Sequence, residues 1–266
     1  MADLRTIRRR ISSIQNVKKI SDAMKMVSTA KYWKLNNELE KTKSFTSEMN
    51  FVLSQLAHRI ERSKVTKFIE IVLTSDRGMC GSFNSSILKS VESPSNLYVI
   101  GKKGVDHYSR SGIRVDSNRN FWENYSQDAI FNLFDELYVL LKDRDVEGIA
   151  VNYMSFKTFM TQNPKREIIY PVYPEAGKFS DAVEIEPSAE KLFEELAPLH
   201  GRALLKKCII ESLVSENAAR MNAMDNASRN ASELMAELKL KYNRLRQDAI
   251  TLELMEITSG TEALNE

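Results

Sequence analysis

The sequence predicts an α/β head domain with a small, largely parallel sheet, combined with a long two-stranded antiparallel coiled coil made from the N- and C-terminal helices. Three observations predict it. All six prolines and eight of the nine glycines lie between Gly78 and Gly201, which leaves residues 1–77 and 202–259 without a helix breaker. Apolar residues at both ends recur at helical spacing. The middle changes to short apolar runs separated by turn residues, a pattern of strands alternating with helices.

Proline inside a helix costs roughly 3 kcal/mol and glycine about 1 relative to alanine, so clearing both from the two ends is a strong helix signal. The 58 residues from Arg202 to Ser259 make a rod of roughly 85 Å at about 1.5 Å per residue. A rod of that length cannot bury itself in an ordinary domain and needs a helical partner, a partner protein, or both. Both long helices are rooted in one middle domain, the first by its C-terminal end and the last by its N-terminal end, which makes them antiparallel. The segments are a first helix over 1–60, a head over 66–200 and a last helix over 202–259.

In the first helix Leu4, Ile7, Ile11, Ile14, Val17, Ile20, Met24 and Val27 form a heptad-like stripe, with an extra three-residue step between Ile14 and Ile20 that predicts a local overwinding. In the last helix the stripe runs Ala227, Ala231, Leu234, Leu238, Tyr242, Leu245, Ala249 and Leu252. The expected seam is therefore Ile7, Ile11, Ile14 and Ile20 against Leu234, Leu238, Leu245 and Leu252. Small residues from Ala218 to Ala231 permit close helix approach. The stripe alone also suits an ordinary core helix of a bundle.

Between the helices, strands are expected over Phe68–Thr74, Leu97–Gly101, near Ile113–Val115 and over Gly148–Met154. Helices are expected over Ser82–Val91, Val105–Ser109 and Asp128–Leu141. This alternation implies a Rossmann-like parallel sheet. Phe156–Met160 and Glu167–Tyr173 read as an added hairpin, and residues 174–200 as a loop with a short helix.

The composition excludes several classes. No stretch approaches the ~20 apolar residues that cross a bilayer, so membrane association has to come through partners. Two cysteines, Cys80 and Cys208, fit free thiols in a reducing compartment. Net charge is only +2, yet residues 1–35 carry nine basic against two acidic side chains. That cationic stretch is either a solvated face or a docking surface for an acidic protein or nucleic acid.

Catalytic patterns are missing. Gly78-Met79-Cys80-Gly81 follows a strand and precedes a helix, but it lacks the G-x-G-x-x-G spacing and the Lys-Ser/Thr pair of a phosphate loop. His58, His107 and His200 stand at no metal-binding interval, and no histidine pairs with Cys80 in the sequence. No cofactor, metal or catalytic residue is expected.

The densest signature is Arg220-Met-Asn-Ala-Met-Asp-Asn-Ala-Ser-Arg-Asn230, followed by Tyr242-Asn-Arg-Leu-Arg-Gln247, Ala249-Ile-Thr251 and Glu253-Leu-Met-Glu-Ile-Thr-Ser-Gly260. With Ile11–Ile20, Ala23–Ser28 and Leu73-Thr-Ser-Asp-Arg-Gly-Met-Cys-Gly81 plus Phe83-Asn84, it closely resembles the gamma subunit of F-type ATP synthases. The resemblance implies a non-catalytic rotary central stalk that couples ion flow to ATP synthesis or hydrolysis. Its implied partners are the alpha and beta subunits of the catalytic ring, an epsilon-type stalk subunit and the membrane rotor ring. Carried over by resemblance, the rotor–stator contacts are Met24, Lys25, Arg220, Arg246, Gln247, Thr251 and Glu253. Ile250, Leu252, Leu254, Met255 and Ile257 are implied to turn in a hydrophobic sleeve. The implied location is the cytoplasmic side of a bacterial plasma membrane, with the matrix side of a mitochondrial inner membrane second. Two rivals from the residues alone are a basic coiled coil that binds nucleic acid and a small α/β enzyme with helical oligomerisation arms.

Overall fold

The computed structural model describes residues 2–57, 65–91, 96–113, 115–118, 120–123, 125–143, 146–172, 186 and 188–265. Five helices and five strands occur among them: α1 (Ala2–Ala57), β1 (Phe68–Leu73), α2 (Phe83–Ser90), β2 (Leu97–Ile100), α3 (Lys102–Arg110), β3 (Asp116–Asn118), α4 (Gln127–Asp143), β4 (Gly148–Phe156), β5 (Gln162–Tyr170) and α5 (Ala189–Asn265). Backbone packing divides the chain into two units, Ser28–Arg220 and Met1–Val27 with Met221–Glu266.

In the first of these units the strands form one sheet of order β3-β2-β1-β4-β5. β3, β2, β1 and β4 are mutually parallel, and β5 runs antiparallel along β4. Alternation along β1 sends Ile69, Ile71 and Leu73 to one face and Val72 to the other. The first face packs on α4 and α5 through Phe134, Leu137, Leu204, Leu205 and Ile209. The second packs on α2 and α3 through Phe83, Ile87 and Tyr108. Gly101, at φ 98°, brings the start of α3 against β1: a Cβ there would stand 2.1 Å from the Thr74 carbonyl oxygen. The Thr74 hydroxyl accepts the Gly104 N–H at 2.9 Å.

The expected hairpin is corrected. β5 pairs with β4 itself from Phe156 back to Ile149, and residues 157–161 form the turn between them. Pro164 is tolerated because β5 is an edge strand, where one row of N–H groups has no ladder partner to lose. The third strand sits at Asp116–Asn118 rather than near Ile113.

α5 begins at Ala189, well before Arg202, and runs through both Pro198 and Gly201. Neither ends the helix because the turns around them are packed. Phe193 and Ala197 join Leu53, Leu56 and Val172 in a separate cluster, and Gly201 lies directly on the Phe134 ring, where a Cβ would stand 2.4 Å from Cζ. Of the loop expected over 174–200, residues 174–185 and 187 lie outside the described residues, as do 58–60 at the end of the expected first helix and Arg114.

Within the same unit α1 buries Ser28, Tyr32, Leu39, Thr42, Thr46, Leu53 and Leu56, a strict alternation of three- and four-residue steps once Leu35 and Met49 are counted. Tyr32 and Leu39 meet Ile210, Val214 and Ala218 of α5.

In the other unit α1 and α5 run antiparallel: Asp22 meets Ser228 while Lys25 meets Asp225. The extra three-residue step is absent there. Burial on α1 passes from Ile7, Ile11 and Ile14 to Lys18, Ser21 and Lys25, so the heptad is unbroken, and Val17 and Ile20 are exposed at 53% and 59%. The lysine at 18 fits because its methylene stem can lie on the seam while the ammonium stays in water. On α5 the seam is Met224, Ser228, Ala231, Met235, Leu238, Tyr242, Leu245 and Ala249. Leu234 and Leu252 fall off it, exposed at 49% and 60%. Of the expected seam residues Ile20, Leu234 and Leu252 lie on the exposed face, because the seam accepts Lys18, Ser21 and Ser228 and, on α5, takes Met235 in place of its neighbour Leu234.

Candidate functional site

Lys25 donates to Asp225 at 2.5 Å, Arg229 holds the other carboxylate oxygen at 2.6 Å, and the Ser228 hydroxyl donates to Asp22 at 2.6 Å. The hydrogen bond from Lys25 and the charge of Arg229 pull the Asp225 carboxyl below its ordinary value against a desolvation cost. Lys25 therefore has an in-chain partner, and Met24 beside it is half-buried. Asp22, Asp225 and Ser228 went unmarked as contacts in the sequence; the only hint was Asp225 four residues before Arg229 on one helix face.

Further along α5, Arg246, Gln247, Thr251 and Glu253 are all exposed. The Thr251 hydroxyl donates back to the Gln247 main-chain carbonyl at 2.9 Å. Ile250, Leu252, Leu254, Met255 and Ile257 are between 48% and 67% exposed.

Arg220, carried over by resemblance as a rotor–stator contact, is turned into its own chain. It is 7% exposed and its guanidinium is spent within its own unit, on Glu216 at 2.6 Å, on the Arg77 carbonyl at 3.2 Å and on the Gly78 carbonyl at 3.4 Å. The loop it holds is braced from below: Asn84 accepts from the Ser75 N–H at 3.0 Å and donates to the Ser75 hydroxyl at 2.8 Å and to Cys80 Sγ at 3.3 Å. Met79 takes a left-handed backbone, φ 61°, at the tip and is exposed. Burial pushes the Cys80 thiol up, which favours the protonated form. Burial raises Cys208 as well.

A second polar cluster escaped the sequence reading. Glu211, buried, accepts from Ser155 at 2.7 Å, the Phe156 N–H at 3.1 Å and the Tyr153 hydroxyl at 3.3 Å, and so binds α5 to β4. Among the described residues no group of three or more His, Cys, Asp or Glu is placed to hold a metal ion, and no helix is long and apolar enough to cross a membrane.

A chain that begins and ends in long antiparallel helices and folds a five-stranded, mostly parallel sheet between them has the fold of central-stalk subunits of rotary ATP synthases. Its similarity to solved structures shows that fold. A chain of a Euglena gracilis mitochondrial ATP synthase, solved as OSCP/F1/c-ring in rotational state 3, matches with TM-score 0.73 at 20% identity over 99% of this chain and 95% of that one. A chain from the central stalk and c-ring of Tetrahymena thermophila mitochondrial ATP synthase matches with TM-score 0.59 at 21% identity over 79% and 99%. The ATP synthase family model matches residues 3–264. ATP synthase gamma chains of Geobacter sp. strain M21 and Geotalea daltonii are 35% and 36% identical over 99% of both chains. The chain belongs to the ATP synthase gamma chain family.

Proposed function

We propose that this chain is the rotating central stalk of an F-type ATP synthase, performing no chemistry itself and transmitting torque between a membrane rotor ring and a ring of alternating alpha and beta subunits. Beyond family membership, one observation carries the reading. Every residue from Thr251 to Gly260 is exposed, although Leu252, Leu254, Met255 and Ile257 stand among them. A helix apolar on several faces is a helix that something else encloses. An apolar sleeve suits rotation, because dispersion is non-directional and holds no preferred angle.

The coupling follows from symmetry. Two helices of different sequence present no three-fold axis, so each of three identical beta subunits meets a different face. Each subunit's open and closed populations then shift by its differential contacts with that face, and rotation exchanges the faces in order. Moving one subunit from 1:99 to 99:1 takes about 5.5 kcal/mol, within reach of several polar and packing contacts acting together. Met24, Lys25, Arg246, Gln247, Thr251 and Glu253 are the proposed contacts. The exposed Arg246 fork and Gln247 amide are suited to hydrogen-bonding a beta-subunit loop. Lys25 reaches an acidic loop in competition with Asp225, which tempers its grip. Arg220 acts at one remove, by holding the loop at Gly78.

The other proposed partners are an epsilon-type stalk subunit and the membrane rotor ring, through which the chain is held at an energy-transducing membrane. The cytoplasmic face of a bacterial plasma membrane is the proposed location, in keeping with bacterial relatives such as those of Geobacter and Geotalea. The test is to tag this chain and purify it gently from its source cells. A nucleotide-hydrolysing hexamer of alpha and beta subunits should accompany it. Recovery of the chain alone, or hydrolysis by the chain alone, refutes the reading.

A further inference from the structure

β1 is where the sheet order reverses, with β2 and β3 on one side of it and β4 on the other. Open α/β sheets bind ligands outside the carboxyl ends of their strands at such a reversal. In the Ser28–Arg220 unit a cleft of about 660 Å³ opens at that place, between α1, the β1–α2 loop, the β3–α4 connection and α5. Small-molecule sites run roughly from 300 to 1,000 Å³, so the size is suitable.

The walls of the cleft differ in chemistry. Lys31 and Lys34, one turn apart on α1, and Arg77 from the loop line one side. The carboxylates that share the lining have cationic or backbone partners of their own: Glu216 holds Arg220 at 2.6 Å, Glu123 holds Lys102 at 2.6 Å and Glu38 holds Lys206 at 3.5 Å. Asp76 accepts the Lys102 N–H at 3.0 Å and so occupies the start of α3 itself. Among the described residues no ion pair engages the side chains of Lys31, Lys34 or Arg77; set against Asp76, whose one bond is to a backbone N–H, they leave the cleft two positive charges in excess. The other wall is aromatic. Trp122 and Tyr125 stand 6.4 Å apart at 36°, and the indole N–H of Trp122 donates to the Thr74 carbonyl at 2.8 Å, fixing its ring.

We propose that this cleft binds a phosphorylated ligand with a planar ring, of the nucleotide class, its phosphates on Lys31, Lys34 and Arg77 and its ring against Trp122 and Tyr125. The phosphates are held by side chains from α1 and the loop, a mode that needs no glycine-rich phosphate motif. Charge-assisted contacts supply affinity and the aromatic wall supplies selection for a ring. This binding is separate from torque transmission and stands or falls independently of it.

The test uses the full-length chain with Trp33→Phe, which leaves Trp122 as the only tryptophan and spares the cleft. ATP is titrated against Trp122 fluorescence, with adenosine and inorganic phosphate as separate arms. The expected result is saturable quenching by ATP at submillimolar concentration, with both fragments at least about tenfold weaker. Lys31→Ala with Lys34→Ala, both at exposed positions, should weaken ATP by about tenfold or more while the circular dichroism spectrum is unchanged. Arg77→Gln in a second chain should act in the same direction. No saturable response to ATP, an equal response to adenosine alone, or undiminished binding in the lysine variant overturns the proposal.

Discussion

Arg220 on α5 and Gly78 in the loop after β1 are 142 residues apart in sequence, and the Arg220 guanidinium donates to the Gly78 carbonyl at 3.4 Å while pairing with Glu216 at 2.6 Å. The arginine is therefore a positioning residue for a loop that exposes Met79. Removing one partner of a buried ion pair costs about 3–5 kcal/mol, because the other charge stays buried without its counterion. Arg220→Met should destabilise the chain by about that much at neutral pH. Burial already raises the Glu216 carboxyl, with Arg220 opposing the shift. A carboxyl raised in the folded state favours folding at low pH and loses that contribution as pH climbs through its folded value. The deficit of Arg220→Met should therefore shrink as the solution is acidified towards the ordinary value of 4.5. Adding Glu216→Gln should restore most of the stability at pH 7. Denaturant unfolding of both variants across pH checks this, and a deficit that is flat with pH disproves the Glu216 account.

Gly201 lies against the Phe134 ring, where an added Cβ would stand 2.4 Å from Cζ. Two effects compete in Gly201→Ala. Alanine gains about 1 kcal/mol in a helix interior, whereas overpacking a close contact costs about 1–3 kcal/mol. The backbone of a long packed helix cannot retreat easily, so the clash should win and the variant should lose about 1–2 kcal/mol. In a Phe134→Leu background the same alanine should be neutral or stabilising, since the ring that meets it is gone. Thermal unfolding of the four chains of this double-mutant cycle gives the coupling directly.

Those two residues also show what the sequence could and could not convey. Breaker-free ends and turn-punctuated apolar runs revealed the two helices and nearly every strand, because those signals are local. The start of α5 was hidden: Pro198 and Gly201 read as punctuation, and only tertiary packing on Phe193, Ala197 and Phe134 keeps the helix going through them. Heptad counting on apolar residues alone cannot find Lys18 or Ser21, and between the adjacent apolar Leu234 and Met235 it has no means to choose, so Ile20, Leu234 and Leu252 fall off the seam that the structure shows. Arg220 looked like a surface contact because its carbonyl partners at Arg77 and Gly78 come from a distant loop. The exposed tip from Arg246 onward is legible as motif, and the partners proposed for it are other chains.

His200 is buried with neither ring nitrogen hydrogen-bonded. Burial, helped by the charge of Lys207 and opposed by Glu167, lowers its pKa to about 4 from the ordinary 6.5. A depressed histidine binds its proton more readily in the unfolded chain, so stability is complete above pH 6.5 and declines as pH falls towards 4. The loss amounts to about 3 kcal/mol at most. His200→Leu should remove that part of the acid sensitivity and move the acid unfolding midpoint downward. A His200 ring that titrates near 6.5 in the folded chain, followed by NMR, is incompatible with this.

Leu238 lies half-buried on the seam of α5 in the unit formed by the two termini. A charge on an apolar seam must either be desolvated or force the helices apart, and translocating an ionised carboxylate out of water costs several kcal/mol. Leu238→Asp should therefore separate α1 from α5 locally and prevent incorporation into the ATP synthase complex. Leu234→Asp, four residues earlier but exposed at 49%, should be far milder. Pull-down yield of the complex distinguishes them, and equal yields would show that the seam runs elsewhere.

Arg246 and Gln247 stand exposed on α5, away from every core cluster, and among the described residues neither side chain makes a hydrogen bond or an ion pair. Truncating them thus leaves folding unchanged: Arg246→Ala with Gln247→Ala should shift stability by no more than about 0.5 kcal/mol, the ordinary range for surface substitutions. Their effect should appear only in the assembled complex, as slower ATP turnover at saturating nucleotide, because the lost contacts bias a beta-subunit conformational step rather than nucleotide affinity. Losing even about 1.4 kcal/mol of that bias slows the step about tenfold. Steady-state hydrolysis by assembled complexes, with unfolding of the free chain as control, measures both halves. Wild-type turnover in the double variant removes Arg246 and Gln247 from the contact set, and restoration by Arg246→Lys alone would show that charge rather than the planar fork is what the partner reads.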